Sequence, residues 1–401
     1  MAAASRKIKT LSADRGHEPF AVRAARAAAV AAAAAAEVDH HAQFPKAAFA
    51  ALKQEKLLSM MIPSALGGED ATVGEVMEVC YRLGQACAST ALIFAMHQVK
   101  VFCVVRHGGT SPWHMDFMRR IAQKEWLLAS STTEGQGGGD VRSSSGAVVN
   151  QDGYITLTRD ATVMSYGAQA DAIVTTARRA PDAAASDQVL IAFEKSTYSL
   201  KRTSSWDTLG MRGTSSCGFD FKASGAEQQI LPEPYASIHT VSMVPSAHLM
   251  WSAVWAGIAA GAVEKARLFT RKAARGAGGQ LPPGAIHFTR AQTQLRQLRA
   301  LLTASLDQFD ALADDHAALQ QTGYQTAVAM LKVEASELAV TTVMSAMRAT
   351  GLSGYRNDSE ASIGRSLRDI LSAPIMINNE RIVANLAAAA MLSDTPQTLR
   401  D

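Results

Sequence analysis

A central block of short β-type segments, set between two long helical regions, limits the possible folds of this chain more than any other feature. The block contains WLLASSTTE, GYITLTRDATVM, AIVTTARR and QVLIAFEK, which are rich in β-branched residues and are separated by Gly, Asp and Pro. On either side, over residues 20–126 and 246–391, apolar residues recur at the spacing of an α-helix. This order predicts an α+β protein in which helices flank a central antiparallel sheet.

The same change of pattern divides the chain into three domains. At 401 residues the chain is longer than a typical single domain. We therefore predict an N-terminal α-helical domain over residues 1–126, a central β domain over 127–235 and a C-terminal helical bundle over 236–401. The alanine-rich run that ends at Ala36 is predicted to be the first helix rather than a transit peptide, because acidic residues interrupt it.

Charge and cysteine content exclude several kinds of function. The net charge is +3 and 48% of the residues are hydrophobic, so neither nucleic acid nor an anionic membrane is expected as a partner. No uncharged apolar stretch reaches the length of about eighteen residues that a membrane span needs. The four cysteines show no metal-ligand spacing. We therefore expect a cytoplasmic protein with reduced thiols and without a metal site.

Six segments, spread over almost the whole chain, resemble motifs of the acyl-CoA dehydrogenase family. In chain order they are IPSALGGEDATVGE (62–75), STALIFAMH (89–97), STTEGQGGGD (131–140), TRDATVMSYGAQADAIVTTARR (158–179), WDTLGMRGTSS (206–216) and GLSGYRNDSEASIGRSLRD (351–369). Each match is weak alone, but the order and the spacing are those of the family. The resemblance implies an N-terminal helical domain, a central antiparallel β domain and a C-terminal four-helix bundle, with FAD or FMN as the cofactor.

The resemblance also indicates which residues contact the flavin. In the family, a Thr-Glu strand and a hydroxyl residue after a later strand hold the flavin ring, and a Gly-rich loop approaches the pyrophosphate. The cofactor-contacting residues that this implies are Thr132, Thr133, Glu134, Gly138, Gly139 and Ser165. Gly139 stands where the family has a serine that bonds the pyrophosphate, so this part of the site departs from the pattern.

Two further motifs concern the subunit contacts and the substrate. GLSGY (351–355) resembles a loop that, in the family's tetramer, touches the FAD of a neighbouring subunit. Gly351 and Gly354 are therefore implied cofactor contacts, and a homotetramer is expected. Arg212, in LGMRGT, resembles an arginine on the substrate side of the β domain. The residues that contact the adenine end of FAD in the family occur here only in altered spacing. The sequence therefore leaves open whether the cofactor is FAD or FMN.

The residue that the family uses as its catalytic base is missing from both of its usual positions. Dehydrogenation of an acyl thioester needs a carboxylate that removes the α-proton while a hydride passes to flavin N5. In most members this glutamate follows the Arg-Asp pair by eight residues, which leads here from Asp369 to Ile377, followed by Asn378. The position that a minority of members use falls near His248.

Three interpretations follow from the missing glutamate. Glu380 is the base if the loop carries a short insertion. His248 or His97 is the base, since imidazole is the usual proton acceptor at neutral pH; His97 is also a candidate substrate contact. Alternatively, no α-proton is removed. Flavin-dependent monooxygenases of the same superfamily lack the glutamate and use a serine and a histidine near the flavin, which Ser165 and His97 match.

Oxidation of an acyl-CoA or a related small molecule, by a flavoprotein oxidoreductase, is therefore the first expected function. A two-component monooxygenase that takes reduced flavin from a reductase and uses O2 is the alternative. The third possibility is a descendant of the family that binds flavin or has a structural role and catalyses no reaction. The expected protein partner is an electron-transfer flavoprotein for the first function and a flavin reductase for the second.

Overall fold

The structure is a computed structural model that describes residues 18–134, 141–392 and 398. Its first region contains five α-helices: α1 (Phe20–His40), α2 (Lys46–Gln54), α3 (Val73–Ala86), α4 (Ala88–Gly108) and α5 (Pro112–Lys124). The local sequence determines where two of these helices begin. Thr72 and Glu75 form a capping box at the start of α3, and Ser111 caps α5, whose first residue is Pro112.

The alanine-rich segment forms α1, the predicted first helix. Its buried residues include Ala24, Ala27, Ala28, Ala31 and Ala35, which recur three and four positions apart and so lie on one side of the helix. Because their side chains are small, α1 approaches α2 and α3 closely on that side.

Seven strands make up the second region, in two separate sheets. They are β1 (Leu128–Ser131), β2 (Val149–Gln151), β3 (Tyr154–Met164), β4 (Ala172–Arg178), β5 (Gln188–Glu194), β6 (Tyr198–Arg202) and β7 (Cys217–Ala226). One sheet has the order β1-β4-β5 and the other has the order β2-β3-β7-β6. All pairs are antiparallel except β1 with β4, which run parallel from the Leu128–Ala172 pair onward. The chain passes through the β2–β3 hairpin before it returns as β4, which gives this parallel pair its long connection.

The third region is helical again. It contains α6 (Tyr235–Ile238), a π-helical segment (His239–Met243), α7 (Val244–Gly276), α8 (Ala285–Leu312), α9 (His316–Gln320), α10 (Thr322–Thr350), α11 (Leu352–Tyr355), α12 (Gly364–Ile370), α13 (Ser372–Ile375) and α14 (Asn379–Leu392). The long helices α7, α8 and α10 pack along one another, and α14 packs on α10. The order of helices, strands and helices confirms the predicted α+β fold class.

Two helical stretches in the described part of the chain are long and apolar enough to cross a membrane. They are Ala88–Gly108 and Tyr235–Gly276, and 83% and 89% of their most apolar windows are buried inside the protein. Burial on all sides accounts for their hydropathy without a membrane, because a helix in the middle of a large core needs no polar face. Both helices contribute side chains to the cavity described next.

Candidate functional site

A cavity of about 610 Å³ lies where the three regions meet. Its wall combines residues of α4, the ends of β1 and β3, the loop before β7, the α6–α7 stretch and α13. This volume is within the range of small-molecule sites, and the wall is mostly apolar with a limited number of polar groups, as such sites usually are.

The β-domain wall of the cavity carries a row of hydroxyl groups. Its hydroxyl-bearing residues include Ser130, Thr132, Thr133, Thr162 and Ser165. The structure thus brings together three of the hydroxyl residues expected to contact the flavin: Thr132, Thr133 and Ser165. The helical side of the cavity includes large apolar side chains, among them Met96 on α4 and Trp251 on α7. The indole Nε1–H of Trp251 is buried and has no hydrogen-bond partner among the described residues. An apolar slot with hydroxyls along one wall and an unpaired donor fits a planar heterocycle with a polar rim, such as a flavin ring.

Ser165 is held at the end of β3 by the residue that follows it. Tyr166 has a left-handed φ of 44° and is fully buried, and its hydroxyl donates to the carbonyl oxygen of Leu128 at 3.0 Å. The bend at Tyr166 places Ser165 at the cavity, because the strand ends there instead of continuing past it. The side chain of Ser165 then contacts Ser216.

Three hydroxyl groups form a hydrogen-bonded chain along the β-domain wall of the cavity. Ser165 Oγ lies 2.8 Å from Ser216 Oγ, and Ser216 Oγ lies 2.8 Å from Thr214 Oγ1. Thr214 Oγ1 in turn donates to the carbonyl oxygen of Met211 at 2.9 Å. All three residues line the cavity, and Ser216 and Thr214 are otherwise buried.

The carbonyl at the inner end fixes the direction of every hydrogen in this chain. A carbonyl oxygen only accepts, so the single hydroxyl hydrogen of Thr214 points to Met211. Ser216 must then donate to Thr214, and Ser165 must donate to Ser216. As a result, Ser165 presents lone pairs, not a hydrogen, to the cavity. The side chain therefore acts as a hydrogen-bond acceptor for a ligand.

Glu134 lines the cavity but its carboxylate is already engaged. It accepts hydrogen bonds from the backbone N–H groups of Ser145 and Gly146, the latter at 3.0 Å, and lies 3.5 Å from Nε of the buried Arg159. These contacts join the end of the β1 region to Ser145 and Gly146, which precede β2. Gly138 and Gly139, the predicted pyrophosphate contacts, lie outside the described residues.

The position of the family's usual base is occupied by an apolar side chain. Ile377 lines the cavity, and both Ile377 and Asn378 have positive φ angles, of 53° and 63°. Positive φ is unfavourable for a β-branched residue, so the surrounding structure must hold this turn in place. Lys332 on α10 holds the residues on either side of this turn, because it is fully buried and donates to the carbonyl oxygens of Ala373 and Pro374 and to Asn379 Oδ1. Arg381 Nη2 donates to the carbonyl oxygen of Ile377 itself.

Glu380 is exposed in the first turn of α14 and does not line the cavity. This geometry does not bring the carboxylate to a bound ligand. Across the described residues that form the cavity wall, Glu134 is the one carboxylate, and it is engaged as described above.

His248 does line the cavity, on the bundle side. Its Nδ1 lies 2.8 Å from the carbonyl oxygen of Val328, so Nδ1 carries the hydrogen and Nε2 is the unprotonated nitrogen. Burial lowers the pKa of His248 to about 4, which keeps the ring neutral at physiological pH. His248 is therefore the predicted base candidate that the structure places at the site.

The structure places His97 behind the cavity wall instead of in it. Its Nε2 contacts the carbonyl oxygen of Leu58 at 2.8 Å, and its Nδ1 accepts from the backbone N–H of Leu128 at 3.0 Å. The ring is fully buried, and burial lowers its pKa to about 4. Because both nitrogens are occupied, His97 joins the helical region to β1 and has none to offer a flavin or a substrate.

Arg212 also points away from the cavity. Its Nε donates to the carbonyl oxygen of Asp39 at 2.8 Å, and its Nη1 donates to that of Thr208. Asp39 is also paired with Arg368, and the backbone N–H of Met211 donates to the buried Asp369 at 2.7 Å. This geometry makes Arg212 part of a network that joins the three regions behind the cavity, without contact to a ligand.

Gly351 and Gly354 lie between α10 and α12 and do not line this cavity. Gly351 has a φ of 55° and allows the chain to turn after α10. Their predicted contact with a neighbouring subunit's cofactor stays a prediction.

Sequence reasoning missed the polar residues that α4 and the π-helical segment bring to the cavity. Lys100, Tyr235, His239 and Met243 all line it. A signal for Lys100 was present, because it is a lysine within an otherwise apolar stretch of a helix. The contribution of the π-helical segment had no such signal, since its geometry depends on packing.

Comparison with known proteins adds to this geometry. The chain matches the family model "Acyl-CoA dehydrogenase, N-terminal domain" over residues 18–151 and the model "Acyl-CoA dehydrogenase, C-terminal domain" over residues 244–392. It is 26% identical to the cyclohex-1-ene-1-carbonyl-CoA dehydrogenase of Geobacter metallireducens, over 89% of this chain and 92% of that protein.

Two monooxygenase-branch relatives match as well. The chain is 26% identical to the probable FMNH2-dependent monooxygenase SfnC of Pseudomonas putida, over 75% of this chain and 77% of that protein. Among solved structures, FMN-bound TdsC of Paenibacillus sp. A11-2 is similar with a TM-score of 0.79 and 19% identity, over 94% of this chain and 98% of that one. At this identity the likeness shows the fold alone.

Proposed function

Because the chain belongs to the acyl-CoA dehydrogenase family of flavin-dependent enzymes, we propose that it is a reduced-flavin-dependent monooxygenase built on that family's fold. One observation carries the proposal: the described wall of the cavity offers no carboxylate that is available to remove an α-proton. Ile377 occupies the usual position, and Glu380 lies outside the cavity. A monooxygenase needs no such base.

The direction of the hydroxyl chain supports the same proposal. Reduced flavin carries a hydrogen on N5, whereas oxidised flavin has a lone pair there. Ser165 presents lone pairs, so it accepts from the reduced form and repels the oxidised form. A dehydrogenase, which binds its substrate with oxidised flavin, would need a donor at this place.

FMN is the proposed cofactor and a separate flavin reductase is the proposed partner. Both are named or implied for relatives, as FMN in the TdsC structure and as FMNH2 in the SfnC name. Reduced flavin, when bound, supplies the activation of O2 and the transfer of one oxygen atom. Thr132, Thr133 and Ser165 would hold its ring at the β-domain wall, and the apolar residues opposite would exclude water.

His248 supplies a hydrogen-bond acceptor on the bundle side of the cavity. Its neutral ring offers Nε2 as an acceptor, because Nδ1–H is held by Val328. In this position it orients a substrate that carries an N–H or O–H group, by accepting a hydrogen bond from that group. The indole N–H of Trp251 is available as a donor on the same wall.

Flavin absorbance and oxygen uptake test this function together. We expect that the FMN-loaded protein is not bleached by any acyl-CoA of a wide panel under anaerobic conditions. With a flavin reductase and NADH, we expect one atom of ¹⁸O from ¹⁸O2 in the product of an accepted compound from a panel of organic acids, thioethers and amines. Rapid anaerobic bleaching by an acyl-CoA would contradict the proposal.

Acyl thioester dehydrogenation is the second candidate, and one observation favours it. His248 lies in the cavity near the position of the base in a minority of the family, as the sequence predicted. In that case an electron-transfer flavoprotein would be the partner. The anaerobic bleaching experiment separates the two functions, since only the dehydrogenase reduces its flavin with a substrate.

Replacing Glu380 tests whether this residue is the catalytic base. Glu380→Gln is expected to change reduced-FMN affinity and turnover by no more than about twofold, because the side chain is exposed and outside the cavity. The measurement is the turnover of an accepted compound, or the rate of flavin bleaching if an acyl-CoA is accepted. A loss of about 100-fold or more would make Glu380 the base instead.

We propose a homotetramer as the assembly, on the basis of exposed apolar side chains at one end of the bundle. Ile286, Leu352 and Tyr355 are 72%, 72% and 75% exposed. The start of α8 and the end of α10 lie together, since a Cβ on Gly284 would be 2.4 Å from the carbonyl oxygen of Ala349. The three apolar side chains therefore lie near one another, which is typical of a subunit interface.

Light scattering coupled to size-exclusion chromatography tests the assembly. Tyr355→Arg is expected to reduce the particle mass from that of a tetramer to a smaller species, because a buried guanidinium without a partner disfavours the interface. Tyr154→Arg, at an exposed tyrosine on β3, is the matched control and should keep the wild-type mass. A monomeric wild-type protein would contradict the proposal.

A further inference from the structure

The end of the cavity that α4 shares with the π-helical segment contains a buried lysine that the proposed chemistry does not use. Lys100 is 3% exposed and lines the cavity. The one hydrogen-bond contact of its Nζ with described residues is with Met243 Sδ, at 3.4 Å. A thioether is a weak acceptor, so this contact does little to compensate for the removal of an ammonium group from water.

Nearby charges leave the ammonium group of Lys100 unbalanced as well. Arg159, which lies close enough to affect its titration, has the same sign. Glu134, the carboxylate on the described wall, is engaged by two backbone N–H groups and faces Arg159. A buried cation that has no counter-ion among the described residues indicates that a ligand supplies one.

A second donor converges on the same sulfur atom. The hydroxyl of Tyr235 donates to Met243 Sδ at 3.4 Å, and His239 Nδ1 lies 3.3 Å from that hydroxyl. The π-helical segment His239–Met243 brings both His239 and Met243 to the cavity, and such wide helical turns are frequent at functional sites. Lys100 and Tyr235 thus direct two donors to one thioether sulfur at the cavity wall, and a thioether is a weak acceptor.

We propose that this end of the cavity binds the anionic group of an organic substrate, a carboxylate, sulfinate or sulfonate, with Lys100 as its charge partner and Tyr235 as a hydrogen-bond donor. The inference rests on the proposed function only in placing the flavin ring at the β-domain wall of the same cavity. The proposed anion site narrows the class of substrate to small organic acids.

The number of donors favours a substrate anion over the phosphate of the flavin. Phosphate sites usually combine arginine, several backbone N–H groups or a helix N-terminus around a doubly charged group. Here one ammonium and one phenol suit a single negative charge. Burial lowers the pKa of Lys100 to about 8, so the amine is still mainly protonated at neutral pH and able to form the pair.

Calorimetric titration with benzoate and its neutral counterpart benzamide tests the proposal on the FMN-loaded protein. Wild type is expected to bind benzoate at least about tenfold more tightly than benzamide. Lys100→Met should remove this preference, and Lys100→Arg should retain most of it. Lys265→Met is the control for the loss of a lysine away from the cavity. Lys265 is partly buried and donates to a carbonyl oxygen, but it does not line the cavity.

Three results would overturn the inference. The first is equal affinity of wild type for benzoate and benzamide, which requires no variant. The second is a benzoate preference that persists in a folded Lys100→Met protein. The third is a Lys100→Met protein that binds FMN less tightly but riboflavin as tightly as wild type, because the lysine then pairs with the flavin phosphate. Failure of oxygen transfer would contradict the proposed function but not the anion site, since the titration requires no turnover.

Discussion

Lys332→Met is expected to lower the free energy of unfolding by about 2–4 kcal/mol, the largest stability effect that we predict. The lysine is fully buried and its Nζ donates to two carbonyl oxygens, of Ala373 and Pro374, and to the side chain of Asn379. Methionine fills a similar volume but donates no hydrogen bond. Removing the charge relieves its desolvation, yet three buried acceptors lose their shared donor, and that loss dominates.

The effect should extend to the cavity. Residues 373–379 include Ile377 and Asn378, whose positive φ angles are unfavourable, and the bonds of Lys332 hold the residues on either side of this turn. We therefore expect lower reduced-FMN affinity as well as lower stability, because Ile377 forms part of the wall.

Urea denaturation, followed by circular dichroism, measures the change for Lys332→Met. The control is Lys53→Met, which removes a lysine paired with Asp171 at the surface and should cost no more than about 1 kcal/mol. A loss below about 1 kcal/mol for Lys332→Met would show that the turn at residue 377 is held by packing alone.

The second large effect is expected from Ser216→Ala, which removes the middle member of the hydroxyl chain. In wild type the hydrogen of Ser165 is directed to Ser216, so Ser165 accepts from a ligand. Without Ser216, the hydroxyl of Ser165 can rotate and donate to the N5 lone pair of oxidised flavin. The ratio of oxidised to reduced FMN dissociation constants should therefore fall by about 10–100-fold, equivalent to one or two hydrogen bonds.

Two titrations measure this ratio: oxidised FMN in air and reduced FMN under anaerobic conditions, both followed by protein fluorescence. Thr214→Val should act in the same direction as Ser216→Ala, because it removes the residue that orients Ser216. Ser224→Ala is the matched control, since Ser224 lies on β7, the strand that follows Ser216, and also bonds a hydroxyl, that of Tyr154, away from the cavity. A wild-type protein that binds oxidised FMN more tightly would contradict the assigned direction.

Much of the fold followed from the sequence because its signals are local. The four predicted β-type segments lie on β1, β3, β4 and β5, and the alanine-rich run forms α1. β7 was not identified, although it is one of the longest strands, because Lys222, Ser224 and two glycines dilute its apolar pattern. The parallel pairing of β1 with β4 was not predicted either, since pairing depends on residues about forty positions apart and not on either segment alone.

The candidate site was predictable only in part, for the same reason. Thr132, Thr133, Glu134, Ser165 and His248 do line the cavity, as their motifs indicated. His97 and Arg212 matched motifs equally well, but the structure commits their polar atoms to backbone carbonyl and N–H groups of distant segments. A motif gives the residue type at a position. It does not show which groups of distant segments form hydrogen bonds with that residue.

By itself, the sequence determined the order of helical and β segments, the relation to a flavin-binding family and the absence of a glutamate at both usual base positions. These properties depend on residue type and spacing along the chain. Only the tertiary structure decided which polar groups remain available in the cavity. It directed the hydrogen of Ser165 away from a ligand, engaged the carboxylate of Glu134 and left Lys100 without a counter-ion among the described residues. Each outcome depends on groups that meet only when the three regions pack together.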